Sequence, residues 1–335
     1  MILFDSRWVG HHGIGRFSKE IFSRLDVRCD SRKLSGSPTS PFDPFYLSYE
    51  IKKRQPQLFF SPGFNPPLMT KQPFIFTVHD LMHLKVEGEA GLLKKQYYAK
   101  IIKPAIYRAE KVLTVSEHAK ADILEWAALH DESKVIVVGN GVDSHFSPEG
   151  ECFQENSDYL LYIGNRKAHK NIDVLLEGFA RSKAYTSTKL LLSGKKDTEI
   201  ADKILKLNIV EHVDFLGFIE EEKLPNIYRG AKALIIPSLY EGFGLPALEA
   251  MACGTPVISS NSASLPEVVG DAGLLFDPGS SSELSQHIDN LMASKILYNQ
   301  CIQRGLERAK LFSWEKVALK VNHVLQEIIE SRCSE

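Results

Sequence analysis

The chain has 335 residues, of which 44% are hydrophobic and 24% are charged, and its formal net charge at pH 7 is -2. This is the composition of an ordinary globular protein, and the length predicts about two domains, each large enough to hold its own core. A charge this close to zero argues against a protein dedicated to nucleic acids, which would carry a strongly basic surface.

The cysteines and the N-terminus bear on the compartment. The five cysteines are dispersed and never spaced as C-x-x-C, which predicts reduced thiols and no zinc site. Residues 1–5 lack the charged-then-apolar pattern of a secretory signal, and no apolar run approaches the roughly 18 residues that span a bilayer. We therefore expect a soluble cytoplasmic protein that makes at most peripheral contact with a membrane.

Short apolar runs alternate with longer amphipathic stretches along the whole chain. In the first half, strands are predicted at residues 1–5, 58–61, 74–78, 112–116 and 135–138. In the second half, they are predicted at residues 159–163, 189–193, 213–215, 234–236, 257–259 and 274–276. Helical periodicity is clearest at residues 119–128, 174–181, 247–252 and 314–329. This alternation is typical of parallel sheets covered by helices on both faces, so we expect an α/β fold.

The polar stretch at residues 150–157 separates one series of strands and helices from the next. It divides the chain into two predicted α/β domains, residues 1–150 and residues 151–313. In open α/β sheets, ligands bind beyond the carboxyl ends of the strands. We therefore expect the functional site in a cleft between the two domains.

Gly13-Ile-Gly15-Arg-Phe17 is a glycine-rich turn directly before a helix predicted at residues 18–25. Glycines let a backbone approach a ligand closely, and a helix N-terminus offers N–H groups to an anion. A nicotinamide-binding fingerprint would need a third glycine where Ser18 stands and an acidic residue about 20 positions further on. Neither is present, so an anion-binding turn and a plain tight turn remain as the two interpretations.

A second glycine-rich stretch, Glu241-Gly-Phe-Gly-Leu-Pro-Ala-Leu-Glu249, follows the strand predicted at residues 234–236. Pro246 suits the first turn of a helix, so Glu241 would lie in the preceding loop and Glu249 about one turn into the helix. With the backbone amides of residues 242–245 as donors, two carboxylates suit a ligand rich in hydroxyls that also carries phosphate. The alternative is that Glu249 is a helix-dipole carboxylate on a solvated face.

A basic loop follows the strand predicted at residues 159–163. Its sequence is Gly164-Asn-Arg-Lys-Ala-His-Lys-Asn171, and Lys195 stands in a similar position after the strand predicted at residues 189–193. Cations at the carboxyl end of a strand can neutralise a diphosphate leaving group. The alternative interpretation is an ordinary solvated basic loop.

These motifs together resemble the signature of the family-four retaining glycosyltransferases with the GT-B fold, whose hallmark is two glutamates eight positions apart. The match runs from Glu241 through Ala250-Met-Ala-Cys-Gly-Thr-Pro-Val257 to Leu265-Pro-Glu-Val-Val-Gly-Asp-Ala-Gly-Leu-Leu-Phe-Asp-Pro278. Supporting matches are Asn140-Gly-Val-Asp143, Val115-Ser-Glu-His118, Phe215-Leu-Gly-Phe218 and Phe312-Ser-Trp314. The resemblance covers nearly the whole chain. It implies two Rossmann-like domains facing a cleft, with the last helix, residues 314–335, crossing back to the first domain.

The resemblance also implies a reaction and its catalytic residues. A nucleotide diphosphate-sugar donor would bind mainly to the second domain and the acceptor to the first, and transfer would retain the anomeric configuration without a metal or other cofactor. Glu241 would contact the donor sugar and support an oxocarbenium-like transition state, while Lys170 would stabilise the departing diphosphate. His79, after the strand predicted at residues 74–78, resembles the family's cleft histidine; a packed or capping histidine is the alternative.

Further residues are implied to bind the donor. Glu249 would hold the two ribose hydroxyls, and Gly13 and Gly15 would approach the phosphates so that domain closure completes the site. The other implied donor-binding residues are Asn165, Arg166, Lys195, Gly242, Phe243, Gly244 and Leu245.

One departure concerns the diphosphate. The family usually places an arginine directly after Gly164, where this chain has Asn165 and carries Arg166 one position later. Either Arg166 supplies the cation after a small shift of the loop, or Lys170 and Lys195 carry the diphosphate alone.

Three segments resemble mannosyltransferases of lipopolysaccharide O-antigen synthesis. They are residues 10–17, Val78-His-Asp-Leu81 and His169-Lys-Asn171. The resemblance implies GDP-mannose as the donor and a lipid-linked or cell-surface polysaccharide as the acceptor, with UDP- and dTDP-sugars still open. Rival classes are a sugar-nucleotide enzyme of the same fold that transfers nothing and a sugar-binding module without catalysis. The presence of Glu241, Lys170 and His79 argues against the module, and the two spaced glutamates argue against the other enzyme.

Residues 92–111 combine basic and apolar side chains on one predicted helix. The basic residues are Lys94, Lys95, Lys100, Lys103, Arg108 and Lys111, and the apolar ones include Leu92, Leu93, Tyr97, Tyr98, Ile101 and Ile102. Such a helix suits the surface of an anionic bilayer. The alternative is a helix with a buried apolar face and solvated lysines. The family context favours weak peripheral binding at the inner face of the plasma membrane.

Overall fold

The computed structural model describes residues 1–10, 13–30, 32–89 and 91–333. The chain divides into two compact units, the first formed by Met1–Gly141 with Ser313–Glu335 and the second by Val142–Phe312. His11 and His12, within the mannosyltransferase-like segment at residues 10–17, lie outside the described residues, as do the last two residues of the predicted terminal helix.

In the described part of the first unit, five parallel strands form one sheet in the order β1-β2-β3-β4-β5. The strands are β1 (Ile2–Phe4), β2 (Leu58–Ser61), β3 (Phe74–Thr77), β4 (Val112–Thr114) and β5 (Val135–Val137). The helices between them are α1 (Gly13–Phe22), α2 (Asp43–Arg54), α3 (Met82–Lys85), α4 (Leu92–Tyr97), α5 (Lys103–Arg108) and α6 (Glu117–Ala127). A π-helical turn at Tyr98–Ile102 joins α4 to α5.

The second unit contains a six-stranded parallel sheet in the order β11-β10-β9-β6-β7-β8. Its strands are β6 (Tyr159–Tyr162), β7 (Lys189–Ser193), β8 (Val213–Gly217), β9 (Ala233–Ile236), β10 (Val257–Ser260) and β11 (Leu274–Phe276). Its helices are α7 (Ile172–Arg181), α8 (Thr198–Lys206), α9 (Leu224–Gly230), α10 (Leu245–Ala252), α11 (Leu265–Val269), α12 (Ser281–Ala293) and α13 (Lys295–Ala309). The last helix of the chain, α14 (Trp314–Cys333), belongs to the first unit.

The strands lie where the apolar runs predict them, because both sheets are buried on both faces. Successive side chains of a strand point to opposite faces, and every residue of β2, β3, β6 and β9 is buried. Strands covered on both faces must be apolar throughout, and such runs are easy to recognise in a sequence. The predicted α/β class is therefore confirmed.

The strand order of the second unit reverses between β6 and β9. From β6 the chain passes to β7 and β8 on one side, and then returns to place β9 on the other side. The loops that follow β6 and β9 therefore leave neighbouring strands at the same edge of the sheet. Such a switch point is where open α/β sheets bind their ligands.

Helix α14 is part of the core of the first unit. The Trp314 side chain is buried and meets the ring of Phe17, with 6.3 Å between the ring centroids. The Asn322 side chain donates to the carbonyl of Arg24 at 2.9 Å and accepts from the backbone N–H of Asp26 at 3.1 Å. The prediction that the last helix packs on the first domain is thus confirmed.

The division between the units precedes the polar stretch at residues 150–157. Residues 142–153 are held by α9: Phe146 packs against Tyr228, and Arg229 donates to the carbonyls of Ser147 at 3.1 Å and Glu151 at 2.8 Å. The stretch is polar because it is exposed to solvent. These contacts nevertheless attach it to the second unit.

Helix α1 begins at Gly13, five residues before the predicted start, so Gly13 and Gly15 lie in its first turn and not in a turn before it. The reason is a close approach of the chain to itself. A Cβ atom on Gly15 would lie 2.6 Å from the backbone of Gly10, which leaves room only for hydrogen. The expectation of a glycine turn preceding a helix at residues 18–25 is therefore wrong.

Candidate functional site

The polar loops after β6 and β9 meet at the switch point of the second unit. The first loop ends in a short 3-10 turn at Ala168–Lys170, and the second leads into α10. Because β6 and β9 pair in parallel, both loops start at the carboxyl edge of the sheet. Lys170 and Glu241, 71 residues apart in sequence, are brought together there.

Lys170 and Glu241 form an ion pair. The Nζ atom of Lys170 donates to Oε1 of Glu241 at 2.6 Å, and the Ser238 hydroxyl donates to the same oxygen at 2.6 Å. Each of the two charged side chains is at most 17% exposed. Hydrogen bonds between charged groups are short and strong, so this contact holds both side chains in place.

The loop that carries Glu241 is fixed from the neighbouring elements. The backbone N–H of Leu239 donates to the carbonyl of His169 at 2.7 Å, and the Ser264 hydroxyl donates to the carbonyl of Glu241 at 2.8 Å. The side-chain amide of Asn171 donates to the carbonyls of Pro237 at 2.9 Å and Pro278 at 2.7 Å.

Sequence reasoning gave Asn171 no role of its own. Its backbone is left-handed, with φ of 55°, directly before α7. Asn is among the few residues that tolerate this conformation, so its identity here was the available signal.

The N-terminus of α10 follows the predicted pattern. Pro246 lies in its first turn, and Gly244 has φ of 102°, which disfavours any side chain. A Cβ atom on Gly244 would also lie 2.7 Å from Cδ2 of Leu265. The Phe243 ring is buried edge-on against Phe312, at 5.8 Å between centroids, so any ligand would meet Phe243 mainly through its backbone.

Glu249 is buried, with 4% of its surface exposed. Its Oε2 atom accepts a hydrogen bond from the Tyr228 hydroxyl at 2.9 Å. The interpretation of Glu249 as a carboxylate on a solvated helix face is therefore wrong. Sequence reasoning missed Tyr228, because no local pattern connects α9 with α10.

The Arg166 side chain binds the loop between β7 and α8. Its guanidinium donates to the carbonyl of Ser193 at 2.9 Å, to the carbonyl of Lys195, and to Oδ2 of Asp197 at 3.1 Å. It also lies over the ring of Phe215, 5.2 Å from the centroid. The pKa of Asp197 is lowered by the backbone N–H of Ile200, and further by Arg166. Arg166 thus organises the loop from which the exposed Lys195 projects.

Two further predicted site residues, Asn165 and His79, lie in different units and make contacts of their own. Asn165 contributes its carbonyl to the Tyr162 hydroxyl and its side chain to the backbone N–H of Lys167 at 3.2 Å. His79, in the first unit, donates from Nε2 to the carbonyl of Pro62 at 2.8 Å and meets the Phe17 ring edge-on at 5.0 Å. The roles implied for His79, Gly13 and Gly15 stay predictions.

Two expected absences remain predictions as well. Among the residues that the structure describes, no three His, Cys, Asp or Glu side chains are grouped so that they could hold a metal ion. Within the same residues, no helix combines the length and the apolar character that crossing a membrane requires.

Two protein-family models match the chain, and together they span most of it. The model described as Glycosyltransferase Family 4 matches residues 14–146, and the one described as Glycosyl transferases group 1 matches residues 143–308.

Mannosyltransferases are prominent among the curated relatives. The chain is 31% identical over 289 residues to O-antigen chain mannosyltransferase B of Escherichia coli, and the match covers 81% of this chain and 74% of that protein. It is 30% identical over 273 residues to the MMP alpha-(1->4)-mannosyltransferase of Mycolicibacterium hassiacum, and this match covers 77% of this chain and 66% of that protein.

A solved structure shows the same fold over the full length. The structure of Anabaena HepE in complex with UDP and glucose matches with a TM-score of 0.76 at 16% identity, covering 97% of this chain and 99% of that chain. The likeness concerns the fold alone, and it confirms the predicted architecture of two Rossmann-like domains.

Proposed function

Because the chain belongs to the family-four glycosyltransferases with the GT-B fold, as its motifs predict, we propose that it transfers mannose from GDP-mannose to a growing cell-surface glycan. Relatives that are named as mannosyltransferases support the choice of sugar. The observation that carries the proposal is the ion pair between Lys170 and Glu241 at the switch point of the second unit.

The proposed reaction retains the anomeric configuration. The bond between the anomeric carbon and the diphosphate oxygen breaks, the acceptor hydroxyl forms its bond on the same face, and its proton passes to the departing diphosphate. Lys170 would stabilise the negative charge that develops on the diphosphate, and Glu241 the positive charge that develops on the sugar. An ammonium and a carboxylate that hold each other in position need little reorganisation in the transition state.

The nucleotide would bind along the same edge of the sheet. Glu249 is proposed to hold the ribose hydroxyls, since a buried carboxylate oriented by Tyr228 is a strong acceptor for them. Lys195 is proposed to contact the diphosphate together with Lys170. Because these lysines can supply the positive charge, we propose that no metal is required.

A thermal-shift screen without metal tests the donor. GDP, UDP, dTDP and ADP are compared, each with its common sugars; a ligand at about 100 times its dissociation constant adds about 2.7 kcal/mol of stability. A selective shift with GDP supports the mannosyl proposal. A selective shift with UDP or dTDP keeps the transferase and overturns the donor, and no shift with any of them overturns the site. Unchanged transfer in EDTA supports metal independence, and NMR of the product gives the anomer.

The proposed acceptor is a lipid-linked oligosaccharide or O-antigen chain at the cytoplasmic face of the plasma membrane. Support comes from the relative that is named as an O-antigen chain mannosyltransferase. Incubation of the protein with radiolabelled donor and bacterial lipid extracts tests this directly. Label that enters the lipid fraction supports the proposal, whereas label only on free water-soluble sugars overturns it.

A further inference from the structure

The outer side of α2 carries a row of exposed aromatic side chains. Phe42, directly before the helix, is 75% exposed, and Phe45 and Tyr49 within it are 58% and 61% exposed. Their spacing of three and four residues places them on one side of the helix. Large apolar groups that line up in water mark an interaction surface more often than isolated ones do.

The charges on this side of α2 are all positive. The two acidic residues of the helix are buried in ion pairs, Asp43 with Arg7 at 2.7 Å and Glu50 with Arg54 at 2.7 Å. The next turn after Tyr49 brings Lys52 and Lys53, and both are exposed. The helix therefore keeps its acidic side chains in buried ion pairs, and its fully exposed side chains are aromatic rings and lysines.

A groove beside α2 continues the same chemistry. It has a volume of about 890 Å³ and lies between α2 and the loop at residues 69–72. Tyr49, Lys52, Met69, Lys71 and Arg108 line it, and among the described residues no acidic side chain does. Met69 is 73% exposed. Lys52 and Lys71 have no ion-pair partner in the part of the chain that the structure describes.

The segment at residues 92–111 is only partly available as a surface. Its own unit holds three of its lysines, whereas Lys95 and Lys100 are exposed and Arg108 lines the groove beside α2. Lys94 contacts Nε2 of His83 at 2.6 Å, Lys103 donates to the carbonyl of Trp126 at 2.9 Å, and Lys111 donates to the carbonyl of Ser133 at 2.7 Å. The apolar residues Tyr98, Ile102 and Ile106 are buried in the core, whereas Leu92 and Leu93 are exposed.

We propose that the aromatic-basic face, defined as Phe42, Phe45, Tyr49, Lys52, Lys53, Met69 and Lys71, docks on an anionic lipid bilayer. The aromatic and methionine side chains would enter the boundary between headgroups and acyl chains, and the lysines would contact lipid phosphates. Charge complementarity identifies the bilayer as the partner. The lysines of this face have no acidic residue beside them among the described residues, and together with the exposed rings they match an anionic surface. The inference rests on the proposed function, in which the acceptor is lipid-linked, and it specifies how the enzyme reaches that acceptor.

Flotation of the full-length protein with liposomes tests the proposal. Vesicles of phosphatidylcholine alone are compared with vesicles that contain phosphatidylglycerol, at low and high salt. The double variant Lys52→Gln/Lys71→Gln should lower the partition coefficient about 25-fold, since each lysine near the surface contributes about fivefold. The double variant Phe45→Ser/Tyr49→Ser should lower binding at both salt concentrations, because the rings contribute apolar burial.

Matched controls separate a local from a general effect. Lys206→Gln/Lys295→Gln removes two exposed lysines from the second unit and should leave binding unchanged. Leu92→Ser/Leu93→Ser tests the other candidate surface. Wild-type protein whose binding does not depend on phosphatidylglycerol would overturn the inference. So would binding that is lost in the Leu92/Leu93 variant and retained by both variants of the aromatic-basic face.

The thermal-shift screen with nucleotides, run on the same variants, distinguishes a failure of this inference from a failure of the proposed function. A variant that retains the nucleotide shift and loses flotation supports membrane docking. Absence of any nucleotide shift in the wild type contradicts the proposed function without bearing on flotation.

Discussion

The Nζ atom of Lys170 lies 2.6 Å from Oε1 of Glu241, and the two side chains come from loops that follow paired strands of one sheet. Ser238 adds a hydrogen bond to the same carboxylate oxygen. A diphosphate that binds Lys170 must therefore share it with Glu241. Each side chain keeps the other in position. The pair therefore presents one positive and one negative group to a ligand that carries both kinds of charge.

Removal of either member of this pair should suppress transfer. Lys170→Ala and Glu241→Ala are each expected to lower kcat about 10²- to 10³-fold, because a preorganised charge at the reacting centre is lost. Initial rates of donor consumption measure the effect. Lys167→Ala, which removes a cation from the same loop, is the control and should stay near the wild-type rate. A near-normal rate for Glu241→Ala would show that the assigned role is wrong.

Arg166 should act as a positioning residue for Lys195. Arg166→Ala frees the loop at residues 193–197, so the KM for the donor should rise about tenfold while kcat changes little, corresponding to about 1.4 kcal/mol. Arg166→Lys should recover only part of the affinity, since a lysine cannot make the forked contacts to two carbonyls and Asp197.

A double-mutant cycle distinguishes positioning from direct contact. If Arg166 acts through Lys195, the variants Arg166→Ala and Lys195→Ala should be non-additive in their effect on KM. Lys196→Ala, at the neighbouring exposed lysine, is the control. Full additivity would instead favour direct binding of the diphosphate by Arg166.

The proposed ribose contact of Glu249 predicts a dependence on the ribose itself. Wild-type protein should bind the 2′-deoxy form of its nucleotide more weakly than the ribose form, and Glu249→Ala should bind both alike. Tyr228→Phe should show an intermediate preference, because one hydrogen bond to a charged group contributes about 1.5–3 kcal/mol. Calorimetric titration of the three proteins with both nucleotides measures the six affinities, and a preference that persists in Glu249→Ala contradicts the contact.

The contact between Gly141 and α14 should control the stability of the first unit. A Cβ atom on Gly141 would lie 2.4 Å from the backbone nitrogen of Trp314, so Gly141→Ala should cost about 1–3 kcal/mol of unfolding free energy. Truncation after Phe312 removes the whole helix and should lower the Tm further. Gly36→Ser, at a glycine with open space around it, serves as the comparison for loop strain without crowding.

Alkaline pH should destabilise the fold partly through Cys253. Burial raises the pKa of its thiol from the usual 9.0 to about 12. Between these values the unfolded chain loses the proton and the folded chain keeps it, so the free energy of unfolding falls as pH rises from about 9 to about 12. Burial also raises the pKa of Tyr159 and Tyr162, which act in the same direction.

Urea unfolding at about pH 8 and about pH 10.5 measures this loss. Cys253→Ala should show a smaller loss between the two pH values, while the contribution of the tyrosines persists. An identical loss in the variant would mean that the buried thiol does not contribute.

Much of the fold and part of the site could be predicted from the sequence. The strands were recognisable because complete burial makes each of them a continuous apolar run, as in Leu58–Ser61 and Tyr159–Tyr162. The start of α1 was missed, since Gly15 reflects a close approach to Gly10 that no helical period reveals. The contact of Phe146 with Tyr228, which attaches Phe146 to the second unit, joins distant parts of the sequence and leaves no local pattern.

The sequence by itself determined the α/β class, the order of the strands along the chain, and the spacing of Glu241 and Glu249 around a helix start. These features depend on neighbours in sequence: burial period, turn residues and the first turn of a helix. Only the tertiary structure decided that Lys170 pairs with Glu241, that Tyr228 holds Glu249, and that Arg166 serves the loop of Lys195. These partners lie on elements that the crossover connections bring together, so each contact depends on how the sheet is ordered.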